Sequence, residues 1–144
     1  MQWLRWLGCC SVVLLVGCKE VDPNSPEGKR SAVFKQMLSH SQTLRDYQRG
    51  ERLFDSAEVA QHAQALAGLS GQAWQYYPPL PEDADVAQSA RQAQFAGYAQ
   101  QLEQAAQRLQ QVTQELPAVN ATFVEALQAV NAGCSGCHQE FRGY

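Results

Sequence analysis

The stretch VNATFVEALQAVNAGCSGCHQEF, residues 119–141, joins a helical pattern to a cluster of metal-seeking side chains. Val119, Phe123, Leu127, Val130, Cys134, Cys137 and Phe141 recur at steps of three and four, the period of one helix face. Cys134 and Cys137 stand at i and i+3, and His138 follows at i+4 from Cys134, so all three share that face. Two thiols beside an imidazole suit three chemistries: a dithiol redox pair, a zinc site, or covalent attachment of haem.

The sequence upstream repeats the helical signature. Ser25-Pro26-Glu27 reads as a helix start, with an N-cap, a proline in the first turn and an acid beside it. This helix runs to about Arg49 and stops at Gly50, with Val33, Phe34, Met37, Leu38, Leu44 and Tyr47 as its apolar stripe. Asp55-Ser56-Ala57-Glu58 offers a capping box for a second helix, striped by Val59, Ala63, Leu66 and Leu69 and ending near Gly71. AWQYYPPLPEDAD, residues 73–85, is a proline-rich crossover carrying three bulky aromatics. A third helix runs from about Asp85 to Glu115 with Val86, Ala93, Leu102, Ala106, Leu109 and Val112, and Pro117 separates it from the fourth. No segment alternates as a strand does. The expected fold is all-α, an antiparallel four-helix bundle with the cysteine motif near the C-terminus of the last helix.

The first residues read differently. MQWLRWLGCCSVVLLVGC has one early positive charge, Arg5, and an apolar run from Trp6 to Val16, too short to span a bilayer and shaped like a signal-peptide core. Leu15-Val16-Gly17-Cys18 resembles the bacterial lipobox, which places lipid on Cys18; an ordinary signal peptide is the plainer alternative. The expected organisation is a signal over 1–17, a lipidated tether over 18–26 and one domain over 27–144. Such a chain is exported and held on a membrane surface by acyl chains. Lys19 is not the aspartate that retains many lipoproteins at the inner membrane, which favours the outer one. Of five cysteines only Cys134 and Cys137 remain for the domain. With 14 acidic against 11 basic residues the chain is mildly acidic, and no basic patch points to nucleic acid.

Partners decide among the three chemistries. A thioredoxin-like CxxC opens a helix after a strand, and no strand is expected here. Zinc needs two more ligands, and the only other histidines, His40 and His62, each stand alone on the edge of a helical stripe. Covalent haem needs only what is present: two thiols for the porphyrin vinyl groups and an adjacent imidazole for the iron.

With CSGCHQEFR at one end, KRSAVFKQM at the other, QRGERLFDSAEV and Trp74 between, the chain resembles class II c-type cytochromes, the cytochrome c′ and c-556 group. The resemblance covers nearly all of the domain. It implies one haem c per chain, thioethers at Cys134 and Cys137, and His138 as axial iron ligand. It implies Arg142 on the histidine side, Arg30 near a propionate, and Ser31 and Asp85 near the haem edge, although Ser31 departs from the glutamine often found there. On the opposite, distal side it implies Phe34, which cannot ligate iron.

An apolar distal residue implies five-coordinate iron open to small gases such as nitric oxide and carbon monoxide, and a part in gas buffering or nitrosative defence. Met37, one turn further along, is the alternative sixth ligand; its use would make the protein a low-spin electron carrier of the c-556 type with a periplasmic redox partner. A bundle whose CxxC forms a disulfide and never meets haem is a third reading. No nucleophile–base pair suggests an enzyme. The resemblance also implies a homodimer through the first two helices, where Leu38, Leu53 and Ala60 stand.

Overall fold

The chain was obtained as a computed structural model that describes residues 21–141. Local capping chemistry sets the helix bounds. In α1, Pro26–Gln48, the Ser25 hydroxyl accepts the Gly28 N–H at 3.0 Å and Pro26 sits in the first turn, where its missing N–H costs nothing. Gly50 ends it with φ +71°, a left-handed conformation that a side chain would disfavour. In that turn Gly50 N–H reaches the Tyr47 carbonyl and Glu51 N–H the Asp46 carbonyl.

Helix α2, Ser56–Ser70, is capped by Asp55, which accepts from the Ala57 and Glu58 N–H groups. The reciprocal half of the expected capping box does not form. Glu58 turns instead to the Tyr47 hydroxyl and lies 3.7 Å from Arg52. A short 3-10 turn, Ala73–Tyr76, opens the crossover. Helix α3, Val86–Thr113, has a complete capping box between Asp85 and Gln88. The Asn120 side chain accepts the Phe123 N–H and starts α4, Ala121–Phe141. Among the described residues no helix is long and apolar enough to cross a membrane.

These helices form the four-helix bundle expected. Packing is most extensive between α3 and α4, α1 and α2, and α2 and α3, while α1 and α4 close the ring along a thinner seam. Leu44, Val59, Leu66, Leu109, Phe123, Leu127 and Val130 are the fully buried centre. The α3 stripe differs from the expected one. Phe95, Ala99, Leu102, Ala106, Leu109 and Thr113 face inward, whereas Val86 is 87% exposed and Ala93 is on the outside. Alanine and glutamine dominate that helix, so its apolar pattern has little contrast, and contact with α2 and α4 decides its rotation.

The seam is anchored by polar groups. Arg45 Nη1 donates to Asn131 Oδ1 and to Ser41 Oγ, both at 2.8 Å, and Ser41 donates to Asn131 at 3.3 Å. This clamp explains why Ser41 occupies a buried position of the α1 stripe. It also sets the register between two antiparallel helices. Two turns back along α1 from Ser41 stands Phe34, and two turns on along α4 from Asn131 stands His138, each about 10 Å away. Phe34 and His138 therefore lie at one level of the bundle. Met37 lies a turn nearer the clamp, level with Cys134.

Candidate functional site

At the level of Phe34 the interior changes character. The Phe34 ring meets Trp74 edge-on at 5.8 Å, and Trp74 meets Phe95 at 5.5 Å and stacks near Tyr77 at 6.2 Å. Tyr77 lies 4.5 Å from Phe95, and Phe95 meets Phe141, on α4, at 5.2 Å. The crossover thus inserts Trp74 and Tyr77 among α1, α3 and α4. Arg30 fixes it there, donating to the Tyr76 carbonyl at 3.0 Å and lying over the Tyr77 ring at 4.3 Å.

Cys134 and Cys137 face this region. Both are half-buried and both thiols are free. Cys134 packs against the core cluster that also includes Met37 and Val130. Burial pushes both thiols above the usual range. For Cys134 the neighbouring Cys137 adds to that rise, and Arg45 opposes it. Tyr77 is close enough to Cys137, as well as to Arg30, to be influenced by both. Its own hydroxyl is raised, chiefly by burial.

Gly133 and Gly136 alternate with the cysteines. A Cβ on Gly133 would stand 3.3 Å from Leu102 Cδ1, and one on Gly136 3.2 Å from Tyr98 Cε1. Their missing side chains let α4 lie close against α3, with the thiols on an adjacent face. His138 is exposed. The end of its helix is tied to α3 by Arg91, which donates to the Glu140 carbonyl at 3.0 Å and lies 4.7 Å over the Phe141 ring.

The expected site residues divide. Arg30 and Phe34 meet the crossover at Tyr77 and Trp74, Cys137 is near Tyr77, and Cys134, one turn before it, packs on the core cluster. Asp85 is spent on capping α3, and Ser31 is exposed on α1. Arg142 and Cys18 lie outside the described residues. Met37 is buried in the core, 4% exposed, with Val33 and Leu44. His40 and His62, each expected to stand alone, meet across α1 and α2.

Tyr77, Phe95 and the Arg45 clamp were not singled out by sequence reasoning. The three aromatics in the crossover were the available signal for the first. Nothing local marks the other two.

The sequence model of the family described as Cytochrome C′ matches residues 26–142. The chain belongs to the cytochrome c′ family. Its cofactor is haem c, covalently bound. Solved cytochromes c′ share the fold. A point mutant of the Alcaligenes xylosoxidans protein, in its nitric oxide complex, superposes with TM-score 0.67 at 21% identity, covering 81% of this chain and 94% of that one. The Rubrivivax gelatinosus protein gives 0.66 at 19%, covering 81% and 95%, and the Shewanella frigidimarina protein 0.68 at 18%, covering 81% and 94%. No curated protein sequence matches.

The residues present fit haem c. Two free thiols one turn apart continue the core-facing stripe of α4. The rings facing them are flat and mobile about few torsions, so they can part around a planar group. Trp74 Nε1 is buried with no hydrogen-bond partner among the described residues. Such an orphan costs about 1–3 kcal/mol and marks a donor lacking its acceptor.

Proposed function

We propose that this cytochrome c′ family member binds small neutral gases, nitric oxide and carbon monoxide, at a haem held by Cys134 and Cys137 with His138 as the axial iron ligand. Held there, ferrous haem would supply an electron-rich iron able to take a diatomic molecule. The protein's own part is to decide what reaches that position.

One observation carries this reading: the clamp register sets Phe34, a side chain that cannot ligate, level with His138 across the seam. Phe34 fills the distal side and excludes water and anions, while a neutral diatomic enters as the ring gives way. Arg30, half-buried beside Tyr77, offers its cation to an acidic haem edge. Arg142, which the family resemblance puts on the histidine side, would add a cation there. Asp85 and Ser31 contribute at most from the rim. The nitric oxide complex of the Alcaligenes xylosoxidans relative supports the same ligand class.

The rest of the assignment follows the sequence. Export by residues 1–17 and acylation of Cys18 would leave 18–26 as tether and 27–144 as the working domain on the periplasmic side, at the outer membrane. Leu53 is 96% exposed and Leu38 53%, which suits a homodimer face on α1 and the turn after it. The task is gas buffering or defence against nitrosative stress rather than turnover.

The test is the visible spectrum of the ferrous protein with and without nitric oxide. A broad high-spin Soret band that shifts with the gas is expected. Split low-spin bands indifferent to the gas, converted to high-spin by Met37→Ala, would replace this reading with Met37 ligation and electron transfer.

A further inference from the structure

The most unexpected group lies outside the haem region. His40 of α1 and His62 of α2 face each other with Nδ1 to Nδ1 at 2.8 Å, ring centroids 5.1 Å apart and planes tilted by 56°. Both are half-buried. Two ring nitrogens at that distance share one proton: one Nδ1 donates and the other accepts. We propose that a divalent transition-metal ion, Cu(II) above the others, takes the place of that hydrogen bond and is chelated by Nδ1 of His40 and of His62 across α1 and α2, the donor ring carrying its proton on Nε2 instead.

The distance suits the ion. Imidazole nitrogens bind such metals at about 2.0 Å, so two at right angles on one ion stand about 2.8 Å apart, and two in a tetrahedron about 3.3 Å. The separation of 2.8 Å is that of the hydrogen bond, and it equals the spacing of two cis positions in a square-planar or tetragonal site, the geometry of Cu(II) and Ni(II), so such an ion fits without the rings moving apart. Among divalent ions on nitrogen ligands Cu(II) also binds most tightly. Each ring has to turn by about 45° to aim its lone pair from the N–N line to a common point beside it, with no change in the N–N separation. The helices carrying the rings are held by fully buried Leu44, Val59 and Ala63, so no chain ordering is needed on binding.

Charge agrees with this. Burial, and then the charge of His40, hold the His62 imidazole below its usual basicity, keeping it in the neutral form that a metal requires. Glu58, one turn before His62, acts in the opposite direction and outweighs the smaller effect of the Arg52 cation. Glu58 is held by the Tyr47 hydroxyl and Arg52. Among the described residues no group of three or more His, Cys, Asp or Glu gathers around one point, so water completes the coordination. The inference does not depend on the haem reading.

The chain has three histidines, which makes the test specific. The full-length haem-loaded protein is titrated with copper(II) chloride in a non-coordinating buffer, with metal counted by equilibrium dialysis and the copper signal read by electron paramagnetic resonance. One copper per chain, a tetragonal signal and splitting from two equivalent nitrogens are expected. His40→Gln and His62→Gln should each weaken binding by more than about tenfold, the loss that even an outer-shell partner can cost. Lys35→Gln, at an exposed position of α1, should leave the site intact. Equal binding by the wild type and the His40→Gln/His62→Gln double variant would overturn the proposal. So would a wild-type signal without two nitrogens, a readout that needs no variant to fold.

Discussion

Along α1, two regions of the bundle are built on different physics. At one end Arg45, Ser41 and Asn131 form a closed polar clamp, in which every bond has a short range and a fixed direction. At the other, Phe34, Trp74, Tyr77 and Phe95 meet through ring contacts of 4.5–6.2 Å that tolerate rotation. Directional bonds specify a register, whereas ring contacts fill space without specifying it. A bundle that must hold a large planar group needs both: one end that does not slip and one end that can open. The thiols stand where the two regimes meet, with Arg45 influencing Cys134 from the clamp side and Tyr77 beside Cys137 from the ring side.

Removing what the soft end is built to hold has the largest expected effect. Cys134→Ala/Cys137→Ala should abolish covalent haem, read as loss of the haem stain on a denaturing gel. Loss of the clamp comes next. Arg45→Ala removes two hydrogen bonds to a charged donor, each contributing about 1.5–3 kcal/mol, and should lower the unfolding temperature by several degrees. It should also let the seam slip, seen as a mixed spin state in the visible spectrum. If the spectrum is unchanged, the clamp stabilises without setting register.

Within the rings, Phe34→Ala should speed nitric oxide uptake by about tenfold, roughly 1.4 kcal/mol off the entry barrier, measured by stopped flow. Trp74→Phe should stabilise the haem-free chain by about 1 kcal/mol, because it removes a buried donor that has no acceptor. The same change in the haem-loaded protein should bring no gain, and the contrast, read by chemical denaturation of both forms, isolates that N–H group.

The smallest effect is a pH dependence. The folded His62 is less basic than its unfolded form, near 6.5, so the unfolded chain binds the proton first. Stability from the His40–His62 contact should hold above that pH and fade as the pH falls through it toward the depressed folded value. His62→Gln should flatten the profile between pH 7 and pH 5.

Much of the fold was legible because its signals are local. Ser25, Asp55 and Asp85 cap their helices with their own side chains, and Gly50 ends α1 through its own φ, so helix bounds fell within about two residues of the expected ones. The cysteine–histidine motif was equally legible, since its chemistry needs five neighbouring residues and no others. Val86 and Ala93 failed as core positions because a helix of alanine and glutamine has several near-equivalent faces. Glu58 was read as a cap partner because it stands at the right offset; Tyr47, eleven residues earlier, took it instead.

The sequence alone thus determined the helices, their order and the haem-binding motif, all of which depend on contacts within a few residues. Tertiary structure alone decided which side chains share a level: Phe34 with His138, Arg45 with Asn131, His40 with His62. Those pairings come from residues 22 to 104 positions apart, and only the packing of whole helices brings them into register.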